Sequence, residues 1–523
     1  MFEGKVRAAL RFIEENADNA VLSPTDEVTT KLQALHPASE EISPNTLIAG
    51  PIQPINKAHL LSIDEQEILK AANRTTGSAG PSMFDAKQWK RILVSKKYRS
   101  EGEDLREAIA KFAQKIGTEI IDPNTLKRYV AGRLIALNKA PGEKELQVRP
   151  IGVGEVLRRI VGKTISWCLG QEIQEAGGPL QVSTGLKGGA EAAIHAMKKI
   201  FDEETTDAVI LVDASNAFNR LNRRAALHNV QYLCPPFATI LINTYRLPAR
   251  LFLSGGAEIS SEEGTTQGDT LAMAFYGIGT NPILRILRQQ VPEVKQVWLA
   301  DDATGAGKLA PLRDWWVKIA KEGTKFGYHV KPSKSWLVLK ESNKLKETED
   351  MFKDCPINIT VEGKRHLGAA IGTEDFKNEY MNDKVNKWCK EIENLTEVAK
   401  SRPHAAYSAF IHGQQHKFTY FLRTIAGISS CLEPLDEVIN NKFIPTLFGR
   451  EVTESEREVI SLPIREGGLG LRNVSHNADR SYRASSQITR LLINHIIEQS
   501  DELPDVVQEH QDKKATITEQ KTF

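Results

Sequence analysis

The sequence predicts an α+β chain in which a mixed block of strands and helices is followed by a helical one. Short β-like runs fall between about residues 132 and 374, among them Gly132–Leu137 and Ala208–Asp213. After about residue 375 the strand pattern stops. There Met381, Val385, Trp388, Ile392 and Leu395 repeat at 4-3-4-3 spacing, the apolar face of a helix. The 523 residues, 41% hydrophobic and 26% charged, leave ample material for a large core.

Composition also excludes. The net charge of +1, from 68 bases against 67 acids, argues against a strongly basic coat protein. Five scattered cysteines form no Cys-x-x-Cys pair and no Cys/His cluster, so neither a structural zinc nor a disulfide framework is expected. The apolar run Ala208–Val212 is stopped by Asp213, far short of the ~20 residues a membrane span needs. The first residues, MFEGKVRAALRFIEENAD, lack an apolar signal core. Neither a signal peptide nor a transmembrane segment is expected, and an intracellular, reducing compartment fits.

In chain order, residues 1–60 read as an N-terminal arm or linker, an amphipathic start followed by a stretch rich in Pro, Ser and Thr. Residues 61–130 read as a helical extension. It has Ser62 as an N-cap, a short helix after the Gly-Pro of AGPSMFDAKQWKRIL, and an amphipathic helix over Leu105–Ile116. Residues 131–205 open with a hairpin, GRLIAL and QVRPIGV joined across a turn at Pro141-Gly142. A long helix over Gly154–Ala176, closed by Gly177-Gly178, and a second helix over GGAEAAIHAMKKIF follow. Residues 206–374 hold the strand Ala208–Asp213, a helical stretch through Leu227, and a loop then helix from EGTTQGD onward. Next come strand, tight turn and strand in VKQVWLADDATGAGK, a helix over Trp315–Phe326, and a loop then strand in KPSKSWLVLK. Residues 375–500 are helical, and 501–523 form a polar, frayed tail.

Three segments carry chemistry. They are Val209–Phe218 (VILVDASNAF), Gly264–Asp269 (GTTQGD) and Val297–Asp302 (VWLADD). Two of them put carboxylates at the end of an apolar strand, where a charge is tolerated only with compensation. Carboxylates converging there repel one another, and divalent cations remove that repulsion. Hard oxygen donors select Mg²⁺ or Mn²⁺, and paired ions suit phosphoryl transfer. Each segment alone is weak, since an Asp-Asp pair is more often turn chemistry. Their order and the strand–turn–strand context are specific.

These segments resemble the reverse transcriptases of eukaryotic non-LTR retroelements. LVDASNAF is similar to motif A, GTTQGD to motif B and LADD to motif C. GRLIALNK and VRPIGV are similar to the preceding fingers motifs, KPSKSWLV to motif D, KRHLGAAIG to the motif E primer grip, and SLPIREGGLGLRN to a C-terminal segment of retrotransposon polymerases. The motif-bearing region runs from about Arg133 to Gly372. The resemblance implies a right-hand polymerase with fingers over 131–205, an antiparallel palm sheet flanked by helices over 206–374, and a helical thumb within 375–500.

The resemblance further implies a role for each residue. Asp213, Asp301 and Asp302 match the metal-binding catalytic aspartates, implying two Mg²⁺ ions (or Mn²⁺). Phe218 matches the gate against a ribose 2′-hydroxyl. Lys139 and Arg149 would reach the dNTP triphosphate. Gln267 and Gly268 match the motif B pair beneath the nascent base pair. Lys334 matches the motif D general acid, with Lys331 its rival, and Leu367-Gly368 the primer grip. Residues 133–163 carry seven bases against three acids, and Arg158, Arg159 and Lys163 read as surface or template-phosphate contacts. Asn219, Thr270 and Leu299 depart from the family, where Asp, Pro and an aromatic are frequent.

The implied activity is RNA-directed DNA polymerase, with an RNA template, a DNA or RNA primer and dNTPs as partners and no membrane. The nucleus follows only from the resemblance. The rival readings are an RNA-directed RNA polymerase, an inactive domesticated retroelement protein that binds nucleic acid, and an unrelated Mg²⁺-dependent phosphohydrolase. With no RNase H carboxylate set or Cys/His knuckle recognised, the chain reads as a bare polymerase or a fragment of a longer element protein.

Overall fold

The computed structural model describes residues 21–140 and 145–521. The amphipathic start, the Pro141-Gly142 turn, Glu143 and Lys144 therefore lie outside the described residues.

The predicted hairpin is present. Strand β1 (Gly132–Asn138) pairs antiparallel with β2 (Val148–Gly154), Ile135 opposite Ile151. The other strands are β3 (Ala208–Val212), β4 (Ala249–Phe252), β5 (Glu258–Ser261), β6 (Lys295–Leu299), β7 (Asp302–Gly307), β8 (Trp336–Leu339), β9 (Asn358–Thr360), β10 (Gly363–His366) and β11 (Ala369–Gly372). Among the described residues they form three sheets. One has the order β2-β1-β4-β5, one is the β10-β11 hairpin, and the third has the order β6-β7-β3-β8-β9. The β6-β7-β3-β8 part of the third is antiparallel throughout, and β9 joins parallel to β8.

Strand β3 sits centrally in this sheet, and its Ala208, Val209, Ile210 and Val212 are buried. A strand covered on both faces can be apolar at every position, as this one is. Helix Leu309–Lys325 covers one face. It brings Trp315 so close to Gly305 of β7 that a Cβ at Gly305 would sit 3.2 Å from the indole. Helices Gly189–Asp202 and Ala272–Gln290 complete the surrounding core.

Beyond β11 the described residues are helical. Met381, Val385, Trp388, Ile392 and Leu395 on helix Glu374–Ser401 are all buried, in a second core with Phe410, Phe418 and Phe443. No described helix is long and apolar enough to cross a membrane.

Several expectations are corrected. Ser62 is not the N-cap. It follows the short helix Ala58–Leu61, and Asp64 caps Glu65–Arg74 by accepting from Gln66 N and Glu67 N while Glu67 reaches back to Asp64 N. The long helix over 154–176 breaks at Leu169 into Val156–Cys168 and Gly170–Gly177, where Gly170 weakens helix propensity. Helix Pro235–Tyr245 escaped the sequence reading because it is apolar nearly all round and shows no amphipathic stripe. Hairpin β4–β5 also escaped, although Gly255 and Gly256, at φ +90° and +95°, are the turn residues it needs. Within the arm, Asp26–Ala34 is a helix with Val28 and Leu32 buried, so this part is no linker. The tail holds helix Val506–Lys521.

Candidate active site

The carboxylates are placed by strand register. Asp213 directly follows β3 and Asp302 opens β7. Pairing of Val212 with Ala303 sets the two aspartates opposite each other on neighbouring strands. Only Ala300 and Asp301 separate β6 from β7. Ala300 has φ +56°, a conformation unfavourable for a residue with a Cβ, so something must hold it. Buried Gln181 does so from both sides. Its Oε1 accepts from Ala300 N at 2.9 Å and its Nε2 donates to Ala300 O at 3.3 Å. The Tyr328 hydroxyl donates to Asp301 O at 2.8 Å. Around Asp213, the backbone N–H donates to Ser335 Oγ at 3.1 Å and the carbonyl accepts from Lys331 N at 2.7 Å. Sequence reasoning passed over Gln181 and Tyr328. Both act on backbone from a distance, and no local pattern announces that.

Burial, then the charge of Asp213, push Asp301 above the usual carboxylate range. Partial desolvation, then the charges of Asp301 and Asp213, push Asp302 up to about 7. Asp302 is exposed on the open side, where solvent screens part of that repulsion. Among the described residues no salt bridge reaches Asp213, Asp301 or Asp302. Nor are any three His, Cys, Asp or Glu side chains among them gathered tightly enough to form a ready metal-holding group.

The segment 264–269 packs against both neighbours through glycine. A Cβ on Gly264 would lie 2.2 Å from Phe218 O, and one on Gly268 (φ +104°) 2.5 Å from Gly152 O in β2. Thr265 N donates to Phe218 O at 2.6 Å and Gly152 N to Gln267 O at 2.8 Å. Phe218 itself stacks on buried Tyr276, with ring centroids 4.5 Å apart and planes 19° from parallel.

Asp269 is the buried acid of this segment. Arg158 Nη2 donates to its Oδ2 at 2.7 Å, with side chains 4% and 3% exposed, and the Tyr245 hydroxyl donates to the same oxygen. Arg158 Nη1 also donates to Val130 O at 2.8 Å. The surface reading of Arg158 is thereby corrected. Arg159 donates to Thr76 O at 2.8 Å and Lys163 to Arg74 O at 2.9 Å, satisfying carbonyls at and beyond the end of helix Glu65–Arg74. A cation the sequence reading passed over is Arg223, 3% exposed, which donates to Gly264 O, Ser261 O and Glu263 O at 2.7–2.8 Å and so fixes the approach to this loop.

Lys139, Arg149, Asp213, Gln267, Lys331 and Lys334 line one cleft of about 470 Å³, within the range of small-molecule sites. Burial, then the nearby Lys334, lower the Lys139 ammonium; Arg149 and Lys331 act in the same direction and Asp213 opposes them. Asp301, Asp302, Phe218 and Gly268 are not among its lining residues. Leu367 and Gly368 stand apart, forming the β10–β11 turn at φ +47° and +93°. Tyr380 of helix Glu374–Ser401 donates to Gly368 O at 2.8 Å, and Tyr420 of helix Gln415–Thr424 donates to Leu367 O.

No family model matches the chain. It is similar to the retrotransposable element SLACS 132 kDa protein of Trypanosoma brucei gambiense, 23% identical over 460 residues, which cover 84% of this chain and 36% of that protein. The chain thus spans about a third of its relative's length. This likeness to a retrotransposable element protein agrees with the retroelement resemblance of the acidic segments.

Proposed function

We propose that the chain is an RNA-directed DNA polymerase built as a right hand, with β1–β2 in the fingers, the five-stranded sheet as palm and the helices after β11 as thumb. The reading is carried by one observation. The cations Lys139, Arg149, Lys331 and Lys334 face Asp213 and Gln267 across one cleft, beside the turn that bears Asp301 and Asp302.

The acids fit divalent ions. They are hard oxygen donors, burial and the charge of Asp213 raise both Asp301 and Asp302, and among the described residues no salt bridge joins a protein cation to them. Asp213 and Asp301 would bind directly and Asp302 would support them. Two Mg²⁺ ions (or Mn²⁺), when bound, would neutralise the acids and lower the barrier for attack by a primer 3′-hydroxyl on a dNTP. Lys139 and Arg149 receive the triphosphate, Lys as a point charge and Arg as a fork. Phe218, fixed by its stack on Tyr276, fills the space of a 2′-hydroxyl and offers it no partner. Gln267 and Gly268 sit against the nascent base pair, where glycine permits close backbone approach. Lys334 delivers a proton to the departing pyrophosphate, with Lys331 the rival donor. The turn at Leu367-Gly368, held by two tyrosines, presses on the primer backbone.

The test supplies purified protein with a primed RNA template, Mg²⁺ or Mn²⁺, and dNTPs or NTPs. Extension with dNTPs, abolished in Asp301→Asn/Asp302→Asn with RNA binding retained, is the expected outcome. Preference for NTPs would select an RNA polymerase. Binding without extension under any condition would select an inactive nucleic-acid-binding remnant.

A further inference from the structure

The arm before the polymerase motifs is built into the cleft. Helix Asp26–Ala34, capped by Thr25, buries Val28 and Leu32 against Leu134 and Ala136 of β1 and Leu251 and Ile259 of β4–β5. Leu22 N donates to Ala136 O at 2.9 Å. Past the helix, Leu35 O accepts from Asn216 Nδ2 at 2.7 Å and from Asn219 Nδ2 at 2.9 Å. These two asparagines lie just after Asp213. A carboxylate at either position could not donate to this carbonyl. The segment is therefore strapped from the hairpin sheet to the catalytic strand.

Its other face lines the cleft. Lys31, Ala34 and Leu35 stand in the wall with Lys139 and Asp213. Lys31 Nζ donates to Leu146 O at 2.8 Å, and Glu27, one helical turn back, lies at 3.3 Å. An ammonium has three donors, so the strong carbonyl bond leaves capacity for a ligand. With Lys31 the wall carries five cations, against the acids Asp213 and Glu145. Such an excess, in a chain of net charge +1, suits a polyanion.

We propose that residues 25–36 form a wall of the nucleotide site and that Lys31 contacts the triphosphate of the incoming nucleotide. The proposal rests on the polymerase reading for the identity of the ligand. The alternative role is a brace, in which Lys31 does no more than fix Leu146 in the segment leading into β2.

Two assays on the full chain decide between them. In primer extension, Lys31→Ala raises KM for dATP about tenfold with kcat within about twofold, the loss of one charge-assisted hydrogen bond. Lys31→Arg restores most of it, and Glu27→Gln, which frees the ammonium, lowers KM. In calorimetric titration without primer, Lys31→Ala weakens dATP binding and leaves dAMP binding unchanged. An unchanged KM, or equal losses for dATP and dAMP, overturns the contact in favour of the brace. If the wild type never extends yet binds dATP in a Lys31-dependent way, the polymerase reading fails and the wall assignment stands. If it extends and the Lys31 variants match it, the wall assignment fails alone.

Discussion

Asp269 and Asp301 are enclosed by the same fold and treated in opposite ways. Asp269 is matched by the Arg158 guanidinium at 2.7 Å and by the Tyr245 hydroxyl, with its side chain 3% exposed. Asp301 has Asp302 as its chain neighbour and Asp213 close by, no salt bridge among the described residues, and a pKa pushed up by burial. The first arrangement spends the acid's charge inside the protein and locks the Gln267-Gly268 loop to helix Val156–Cys168. The second leaves charge unspent at a cleft. A fold gives up the stability of a paired acid at a place where something from outside supplies the pairing. The sequence prints both as Asp after an apolar or glycine-rich run, and the difference emerges only from the partners.

The comparison can be broken at each acid in turn, by neutralising Asp301 itself and by removing the partner of Asp269. The largest effect is expected in catalysis. Asp301→Asn should cut primer extension by at least about a thousandfold, as loss of a transition-state contact does. Its melting temperature should hold or rise, since an unpaired charge is removed. A drop in melting temperature would mean that Asp301 is structural like Asp269. On the paired side the effect is in stability. Arg158→Ala strands Asp269 in the interior and should cost about 3–5 kcal/mol in chemical denaturation. A loss under about 1 kcal/mol would mean that the pair is not buried in solution.

Gly268→Ala sharpens the link between the two acids' surroundings. It strains a residue at φ +104° and drives a Cβ towards Gly152 O, for about 1–3 kcal/mol and reduced extension. Wild-type behaviour would show that this loop moves freely. The smallest effect is in pH dependence. Asp302 titrates near 7 when folded and in the ordinary carboxylate range when unfolded. Between those values the folded state holds a proton that the unfolded state has lost, so stability falls as pH rises. In metal-free denaturation the advantage of Asp302→Asn over wild type should therefore grow from about pH 4 to 7. A constant difference would remove the raised pKa.

Much of this architecture was legible in the chain. Strand β3, the β6–β7 turn and the face Met381–Leu395 announce themselves through period and composition, because each faces a single environment along its length. The acids were legible because charge at the end of an apolar strand contradicts its surroundings. What escaped depends on distant partners. Gln181, Tyr328 and Arg223 act on backbone far away in sequence, Arg158 looks like any surface base until Asp269 meets it, and Lys31 lies in a segment whose Pro, Ser and Thr content hides a helix. Helix Pro235–Tyr245 escaped for the reverse reason, being apolar on too many sides to show a period.

The proposed chemistry requires Asp213, Asp301 and Asp302 to act together as a divalent-cation site. The decisive measurement is titration of the wild-type chain with Mn²⁺, followed by electron paramagnetic resonance. Saturable binding is expected that Mg²⁺ displaces and that Asp213→Asn and Asp301→Asn each abolish while Asp269 and Arg158 are left in place. Mn²⁺ bound equally well by wild type and both variants would contradict it.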